Sequence, residues 1–146
     1  MKQITPISLI TGGCYCGATT FTASKAPFIV AFCHCSDCRR ITGASVAAFA
    51  AFNEGDLIFT PDEGSPVEAN PGVKRTFCSS CGSPLTGRYD YLPDQFYVPV
   101  GLLDQANEFP PSVHTHEGGG LKWLHIDDDL ERLGTSARET LNIARK

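Results

Sequence analysis

Short runs that alternate apolar and polar residues dominate the chain, and this two-residue period predicts β-strands with one buried face. Clusters of glycine, proline, asparagine and aspartate separate the runs, which is typical of an all-β domain with many turns. A proline at Pro99 interrupts one run, so we expect that strand to lie at a sheet edge or to be bulged. The predicted strands cover residues 7–11, 18–22, 28–32, 45–52, 57–60, 96–100 and 121–126.

One segment near the end of the sequence has the signature of a helix start. Ser136 is followed three residues later by Glu139, a capping box that predicts a short helix over 140–145. The chain has 146 residues, the size of one ordinary domain, and we find no internal repeat or dividing linker in it. We therefore expect one domain over 1–146, with its core at about 9–133 and a short C-terminal helix.

Composition and charge limit the partners that we expect. The formal net charge of -4 gives no basic field to attract nucleic acid. The first ten residues lack the apolar core of a signal peptide, and no stretch approaches the roughly 18 apolar residues of a membrane span. We therefore expect a cytoplasmic protein without nucleic-acid or membrane partners. Because cytosolic thiols are kept reduced, its seven cysteines favour metal binding over disulfide bonds.

The cysteines fall into three closely spaced groups. In a Cys-x-Cys pair both side chains leave the same face of an extended strand, and a Cys-x-x-Cys pair followed by glycine is typical of a zinc knuckle. A structural zinc site takes four ligands, whereas a catalytic site has three and an open position. Seven thiolates therefore divide into four plus three. The groups are Cys14-Tyr15-Cys16, Cys33-His34-Cys35-Ser36-Asp37-Cys38 and Cys78-Ser79-Ser80-Cys81.

Spacing alone does not decide which groups join. We prefer to combine the first and third groups in a closed site, because the middle group already supplies three ligands within six residues. We predict two Zn²⁺, although ordinary buried thiols, a thioredoxin-like redox pair and an iron-sulfur cluster are alternatives. The preferred ligands are Cys14, Cys16, Cys78 and Cys81 for the closed site, and Cys33, Cys35 and Cys38 for the open site.

The cysteine groups stand in wider motifs, namely Gly12-Gly13-Cys14-Tyr15-Cys16-Gly17, His34-Cys35-Ser36-Asp37-Cys38-Arg39, Phe77-Cys78-Ser79-Ser80-Cys81-Gly82, Gly101-Leu102-Leu103-Asp104 and Pro111-Ser112-Val113-His114 with Trp123. Together these motifs resemble the glutathione-dependent formaldehyde-activating enzymes and the related centromere protein V. The resemblance implies an all-β tent of short antiparallel strands around one structural and one catalytic zinc ion. It implies the same division of ligands, with the three open-site cysteines on the catalytic zinc.

The resemblance also implies an activity, the joining of glutathione to formaldehyde to give S-hydroxymethylglutathione. We therefore predict a zinc-dependent enzyme of carbon-sulfur lyase type that acts on a small thiol adduct. Our hypothesis is that the open position takes an incoming thiol, because three thiolates already leave the site negative and so favour a nucleophilic sulfur. The alternatives are a non-catalytic zinc module that binds another protein, and a redox or metal-buffering protein.

Several residues outside the cysteine groups carry weaker predictions. Arg39, directly after the last open-site ligand, is predicted to bind a substrate carboxylate, and the alternative is that Arg39 and Arg40 offset thiolate charge. His34 lies between two ligands and is expected to face away from the metal. Other histidines are possible proton carriers, although structural roles are more common; these are His114, His116 and His125.

Aromatic and acidic residues give two further expectations. Trp123, Phe49 and Phe52 are expected to lie in the core rather than to form a substrate platform. The acidic run 127–129 is expected to be a solvated turn and not a metal site.

Overall fold

Two β-sheets form the framework of the computed structural model, which describes residues 9–144. The strands are β1 (Ile10–Gly13), β2 (Thr20–Ala23), β3 (Ile29–Cys33), β4 (Ala47–Asn53), β5 (Leu57–Thr60), β6 (Ser65–Asn70), β7 (Val73–Phe77), β8 (Pro84–Tyr89), β9 (Leu92–Pro99), β10 (Val113–Thr115) and β11 (Glu131–Arg132). Two α-helices accompany them within that range, α1 (Ser36–Thr42) and α2 (Arg138–Ala144). The predicted mainly β fold is confirmed.

The strand order explains how distant segments meet. A three-stranded antiparallel sheet has the order β1-β2-β5, and an eight-stranded sheet has the order β11-β10-β3-β4-β9-β8-β7-β6. Most pairings are antiparallel, as expected, but β10 pairs in parallel with both β3 and β11. The parallel pairing places the segment after β10 beside the end of β3.

Strand β4 separates two apolar cores because its two faces are both buried. Ala50 and Phe52 point into a core shared with the small sheet, where Phe21 packs. Phe49 and Ala51 alternate with them and point into a second core on the opposite face. The second core includes Cys38 and has Cys33, Cys35 and α2 packed against it. The predicted burial of Phe49 and Phe52 is confirmed.

The sequence pattern located four strands, β2 to β5, most closely. Predicted strands at 18–22, 28–32, 45–52 and 57–60 each match an observed strand to within two residues at either end. The prediction at 7–11 overlaps β1, and its first two residues lie outside the described range. The predicted strand at 121–126 is wrong, and Trp123 is 67% exposed rather than buried in the core.

Of the two alternatives for the strand containing Pro99, the edge position is wrong, whereas its pairing with β8 does show a register shift, between Gly87 and Tyr89. Strand β9 lies between β4 and β8 in the middle of the large sheet, and Pro99 is its last residue. The proline is tolerated because the strand ends there and a 3₁₀ turn, Val100–Leu102, follows. The C-terminal helix is confirmed, with Ser136 Oγ accepting the Arg138 N–H at 3.1 Å as a cap.

Gly12 offers a test of how closely the small sheet packs on the rest of the fold. A Cβ atom at this position would lie 2.5 Å from the Leu102 carbonyl oxygen and would also overlap the Phe21 ring. We expect Gly12→Ala to lower the free energy of unfolding by about 1–3 kcal/mol, because backbone on one side cannot move away. Chemical denaturation would measure the change. Gly55→Ala is the matched control, since no atom lies within 4 Å of its added Cβ, and an equal loss in both variants would contradict the explanation.

Candidate metal and substrate site

Two similar turns build the first cysteine cluster. One turn follows β1 and begins at Cys14, and the other follows β7 and begins at Cys78. Each returns through a glycine with positive φ, Gly17 at 80° and Gly82 at 78°. The N–H of each glycine donates to the carbonyl of the first cysteine in its turn, at 3.2 and 2.8 Å. Only glycine adopts such a φ without strain, so both turns depend on these positions.

The sulfur atoms of this cluster are spaced as metal ligands. All four lie within 4.8 Å of one another, so the cluster could hold a metal ion. The Sγ atoms of Cys14 and Cys16 are 3.6 Å apart, and those of Cys16 and Cys78 are 3.8 Å apart. A tetrahedron with metal-sulfur bonds of about 2.3 Å has sulfur-sulfur edges of about 3.8 Å. The cluster, which is completed by Cys81, therefore fits the closed site that the spacing predicted.

Local hydrogen bonds favour the thiolate form at Cys14 and Cys81, whereas the neighbouring thiols help to raise the pKa of Cys16 to about 11. The backbone N–H of Thr19 donates to Cys14 Sγ at 3.3 Å and lowers the pKa of that thiol. The Ser83 hydroxyl, 3.2 Å from Cys81 Sγ, lowers the pKa of Cys81 to about 5. Because the thiolate is the form that binds metal, these bonds prepare the cluster for a cation.

The second cluster stands where β3 meets α1. Cys33 is the last residue of β3, Cys35 caps the helix and Cys38 lies in its first turn. The Sγ atoms of Cys33 and Cys35 are 3.4 Å apart, and the Cys38 N–H donates to Cys35 Sγ at 3.3 Å. All three sulfurs lie within 4.8 Å of one another, so this cluster could hold a second metal ion.

Helix α1 was not predicted, although the sequence contains signals for it. Asp37 in the first turn is favourable at a helix N-terminus, and Gly43 with φ of 72° ends the helix in the left-handed conformation. The helix turns Cys35 and Cys38 to the same side. It therefore brings together two ligands that an extended strand would separate.

The three thiols of the second cluster cannot all ionise easily without a cation. A hydrogen bond from Cys33 lowers the pKa of Cys35, whereas the neighbouring thiol of Cys33 and burial raise the pKa of Cys38. The protons are thus shared unequally among three close sulfurs. A bound cation would remove this conflict by compensating the negative charge.

A cavity of about 250 Å³ opens beside the second cluster. It is lined by all three sulfur residues of that cluster and by none of the closed one. Its other walls combine aromatic, apolar, polar and charged side chains, including the carboxylate of Asp37. Those that matter below are Phe49, Arg75, Tyr89, Leu92, Tyr97, His116, Arg138 and Leu141. The two clusters therefore differ in their access to small molecules.

Arg39, the predicted substrate-binding residue, does not line this cavity. Its Nε atom is buried and has no hydrogen-bond partner among residues 9–144. Two other arginines reach the cavity, and each lies over a tyrosine ring. The Arg75 guanidinium is 5.6 Å from the centre of the Tyr89 ring, and the Arg138 guanidinium is 3.7 Å from that of Tyr91. Sequence spacing could not identify them, because both come from distant elements.

His34 points away from the cavity into a buried polar network. Its Nε2 is 2.8 Å from Nδ1 of His114, whose Nε2 is 2.9 Å from Asp128 Oδ2. His114 is only 1% exposed, and burial followed by the charge of His114 lowers the pKa of His34. The expectation that 127–129 is only a solvated turn is wrong for Asp128, which Arg132 also contacts at 2.8 Å. Burial of His114 requires this partner.

The histidines predicted as proton carriers therefore separate by position. His116 lines the cavity, while His114 is engaged in the buried network and His125 is exposed on the far side of that network. His116 has a φ of 51°, the left-handed conformation that is uncommon outside glycine, asparagine and aspartate.

A family model described as "Glutathione-dependent formaldehyde-activating enzyme" matches residues 9–118. The crystal structure of a protein from Rhodobacter sphaeroides is similar to this chain, with a TM-score of 0.53 and 25% sequence identity. The similarity covers 64% of this chain and 87% of that one. Among curated proteins, none matches the chain. Within residues 9–144 there is no helix both long and apolar enough to cross a membrane.

Substitution of one cysteine in each cluster should separate their roles. The closed cluster joins turns whose cysteines are 62 residues apart, so a metal ion held there would stabilise the fold directly. We expect Cys81→Ser to lose metal and to lower the thermal midpoint by more than 10 °C. Cys35→Ser should lose one metal ion but keep most of the stability, since serine can still cap α1. Metal analysis and thermal unfolding would show this, and equal destabilisation would contradict it.

The buried network gives a pH-dependent prediction. The hydrogen bond from His114 lowers the pKa of Asp128 to about 2, so its stabilising effect is complete above about pH 4 and is lost as the pH falls towards 2. We expect Asp128→Asn to lower the thermal midpoint at pH 7 by several degrees, and the difference from the parent to narrow below pH 4. Asp127→Asn, at an exposed neighbour, is the control. A midpoint unchanged at pH 7 would exclude the proposed role of the carboxylate.

Proposed function

Because this chain belongs to the glutathione-dependent formaldehyde-activating enzyme family, we propose that it is a zinc enzyme of carbon-sulfur lyase type that joins glutathione to formaldehyde. In the forward direction a sulfur-carbon bond forms, the carbonyl π electrons move to oxygen, and the thiol proton is replaced by one on that oxygen. The product is S-hydroxymethylglutathione. The reverse reaction breaks the same sulfur-carbon bond, and neither direction needs an oxidant or a reductant.

The placement of the three-cysteine cluster at a cavity is the observation that supports this proposal. Cys33, Cys35 and Cys38 would hold a zinc ion with three donors, which leaves a position for an incoming ligand on the cavity side. Zinc bound there would favour the thiolate form of an incoming thiol. The donor set fits zinc, since thiolates are the ligands that zinc takes in all-cysteine sites.

Two arginines would bind the charged ends of glutathione. Arg75 and Arg138 line the cavity, and among residues 9–144 neither forms an ion pair. Guanidinium groups bind carboxylates with two parallel hydrogen bonds, and glutathione carries two carboxylates. The rings of Tyr89 and Tyr91 beneath these groups would restrict their orientation before substrate arrives.

His116 is the histidine placed to exchange a proton with the aldehyde oxygen. It lines the cavity together with the three cysteines, so it would supply a proton as the sulfur-carbon bond forms. The same residue would remove that proton when the adduct is cleaved. His116→Asn is the appropriate variant, because asparagine tolerates the observed positive φ.

A kinetic comparison of arginine variants tests the proposed substrate. The rate of adduct formation from glutathione and formaldehyde would be measured by exchange NMR spectroscopy. The rate of the uncatalysed reaction in buffer would be subtracted. We expect Arg138→Ala to raise KM for glutathione about tenfold while kcat changes less, because a charge-assisted hydrogen bond is removed. Arg40→Ala is the matched control, since Arg40 is exposed and does not line this cavity.

Arg39→Ala tests the original sequence prediction in the same assay. Its position away from the cavity leads us to expect an unchanged KM. If zinc-loaded protein did not accelerate adduct formation relative to buffer alone, the proposed enzymatic activity would be refuted. A non-catalytic binding module would then be favoured.

A further inference from the structure

Part of the cavity lining, which we call the apolar wall, consists of Phe49, Leu92, Tyr97 and Leu141. In a reaction of glutathione with formaldehyde alone, no apolar group is present to pack against this wall. Glutathione ends in charged groups, and formaldehyde adds one carbon with no apolar surface to bury. Yet the three cysteines pack in the same core cluster as Phe49, Leu92, Tyr97 and the half-buried Leu141. Contact between such an apolar surface and water is unfavourable. The surface therefore favours binding of a reactant that carries an apolar group.

We infer that the site accepts aldehydes with an apolar substituent, in preference to formaldehyde. This inference rests on the proposed function. The carbon that joins the sulfur must lie beside the cysteine cluster, so its substituent is the part of the adduct nearest to this wall. The reaction has the same stoichiometry as with formaldehyde. The thiol adds to R–CHO and forms the sulfur-carbon bond, the sulfur loses one proton, and the carbonyl oxygen gains one.

Two tyrosines, Tyr89 and Tyr97, are among the residues that line the cavity. The Tyr97 hydroxyl donates to Gln95 Oε1, so its polar end is already satisfied. Burial raises the pKa of Tyr89, which keeps its hydroxyl neutral. The Tyr89 and Tyr97 rings meet edge to face with centres 5.3 Å apart. These contacts fix an aromatic surface of the kind that packs against an alkyl or aryl substituent.

The cavity has room for such a substituent. A volume of about 250 Å³ equals that of about eight liquid water molecules. The sulfur, the reacting carbon and a chain of three or four further carbons fit within this space. The carboxylates of glutathione would bind at Arg75 and Arg138, on another part of the cavity lining.

A series of aldehydes with glutathione tests the inference. The acceleration over buffer would be measured by NMR exchange for formaldehyde, acetaldehyde, propanal, butanal and glycolaldehyde. We expect the acceleration to rise about fourfold with each methylene up to butanal, the gain from burying one such group. Glycolaldehyde, which is close in size to propanal but polar, should fall below propanal.

Leu141→Ala removes part of the wall without opening the centre of the fold. We expect it to lower the ratio of butanal to formaldehyde acceleration about tenfold, while Glu139→Gln on the same helix leaves the ratio unchanged. An acceleration that is greatest with formaldehyde and falls with chain length would overturn the inference and leave the proposed function standing. No acceleration with any aldehyde would overturn both.

Discussion

Close packing of cysteine sulfurs is the constraint on which this fold depends. Seven cysteine sulfurs lie in two clusters whose members are all within 4.8 Å of one another, a spacing at which thiolates repel strongly in a protein interior. Hydrogen bonds from backbone N–H groups reduce the repulsion but do not cancel it. A bound cation would remove the repulsion, and each cluster has a geometry that could surround one.

The two clusters are built from different local structures, and this difference gives them different access to the cavity. The closed cluster is made by two glycine-ended turns that approach from distant segments, so four sulfurs surround the centre. The second cluster comes from one strand-to-helix junction, which can supply only three ligands. Its fourth side faces the cavity because β4 buries Phe49 towards the same core as Cys38. Access to the second cluster is thus a consequence of the sheet's two buried faces.

Sequence reasoning found the features that local chemistry determines. The two cysteine clusters, strands β2 to β5 and the cap of α2 all depend on spacing or composition within a few residues. Strand β6 was missed because every one of its residues is exposed, so no apolar alternation marks it. Trp123 was misplaced because size and apolarity suggest burial but tertiary packing decides it. The arginines of the cavity come from β7 and α2, and only the fold brings them together.

The hydrogen-bonded network of His34, His114 and Asp128 lies behind the second cluster. It shows how His34, between two cysteines of the cluster, can orient them without being a metal ligand itself. Alternation at the end of β3 turns the His34 side chain away from those of Cys33 and Cys35. The backbone N–H of His34 donates to the Thr115 carbonyl at 3.0 Å. The His34 ring stacks on His114 with centres 5.1 Å apart and bonds to it, and Asp128 completes the chain. Rotating this segment would bury unpaired polar atoms, at a cost of several kcal/mol. The network therefore holds the cysteines towards the cavity by making the opposite orientation unfavourable.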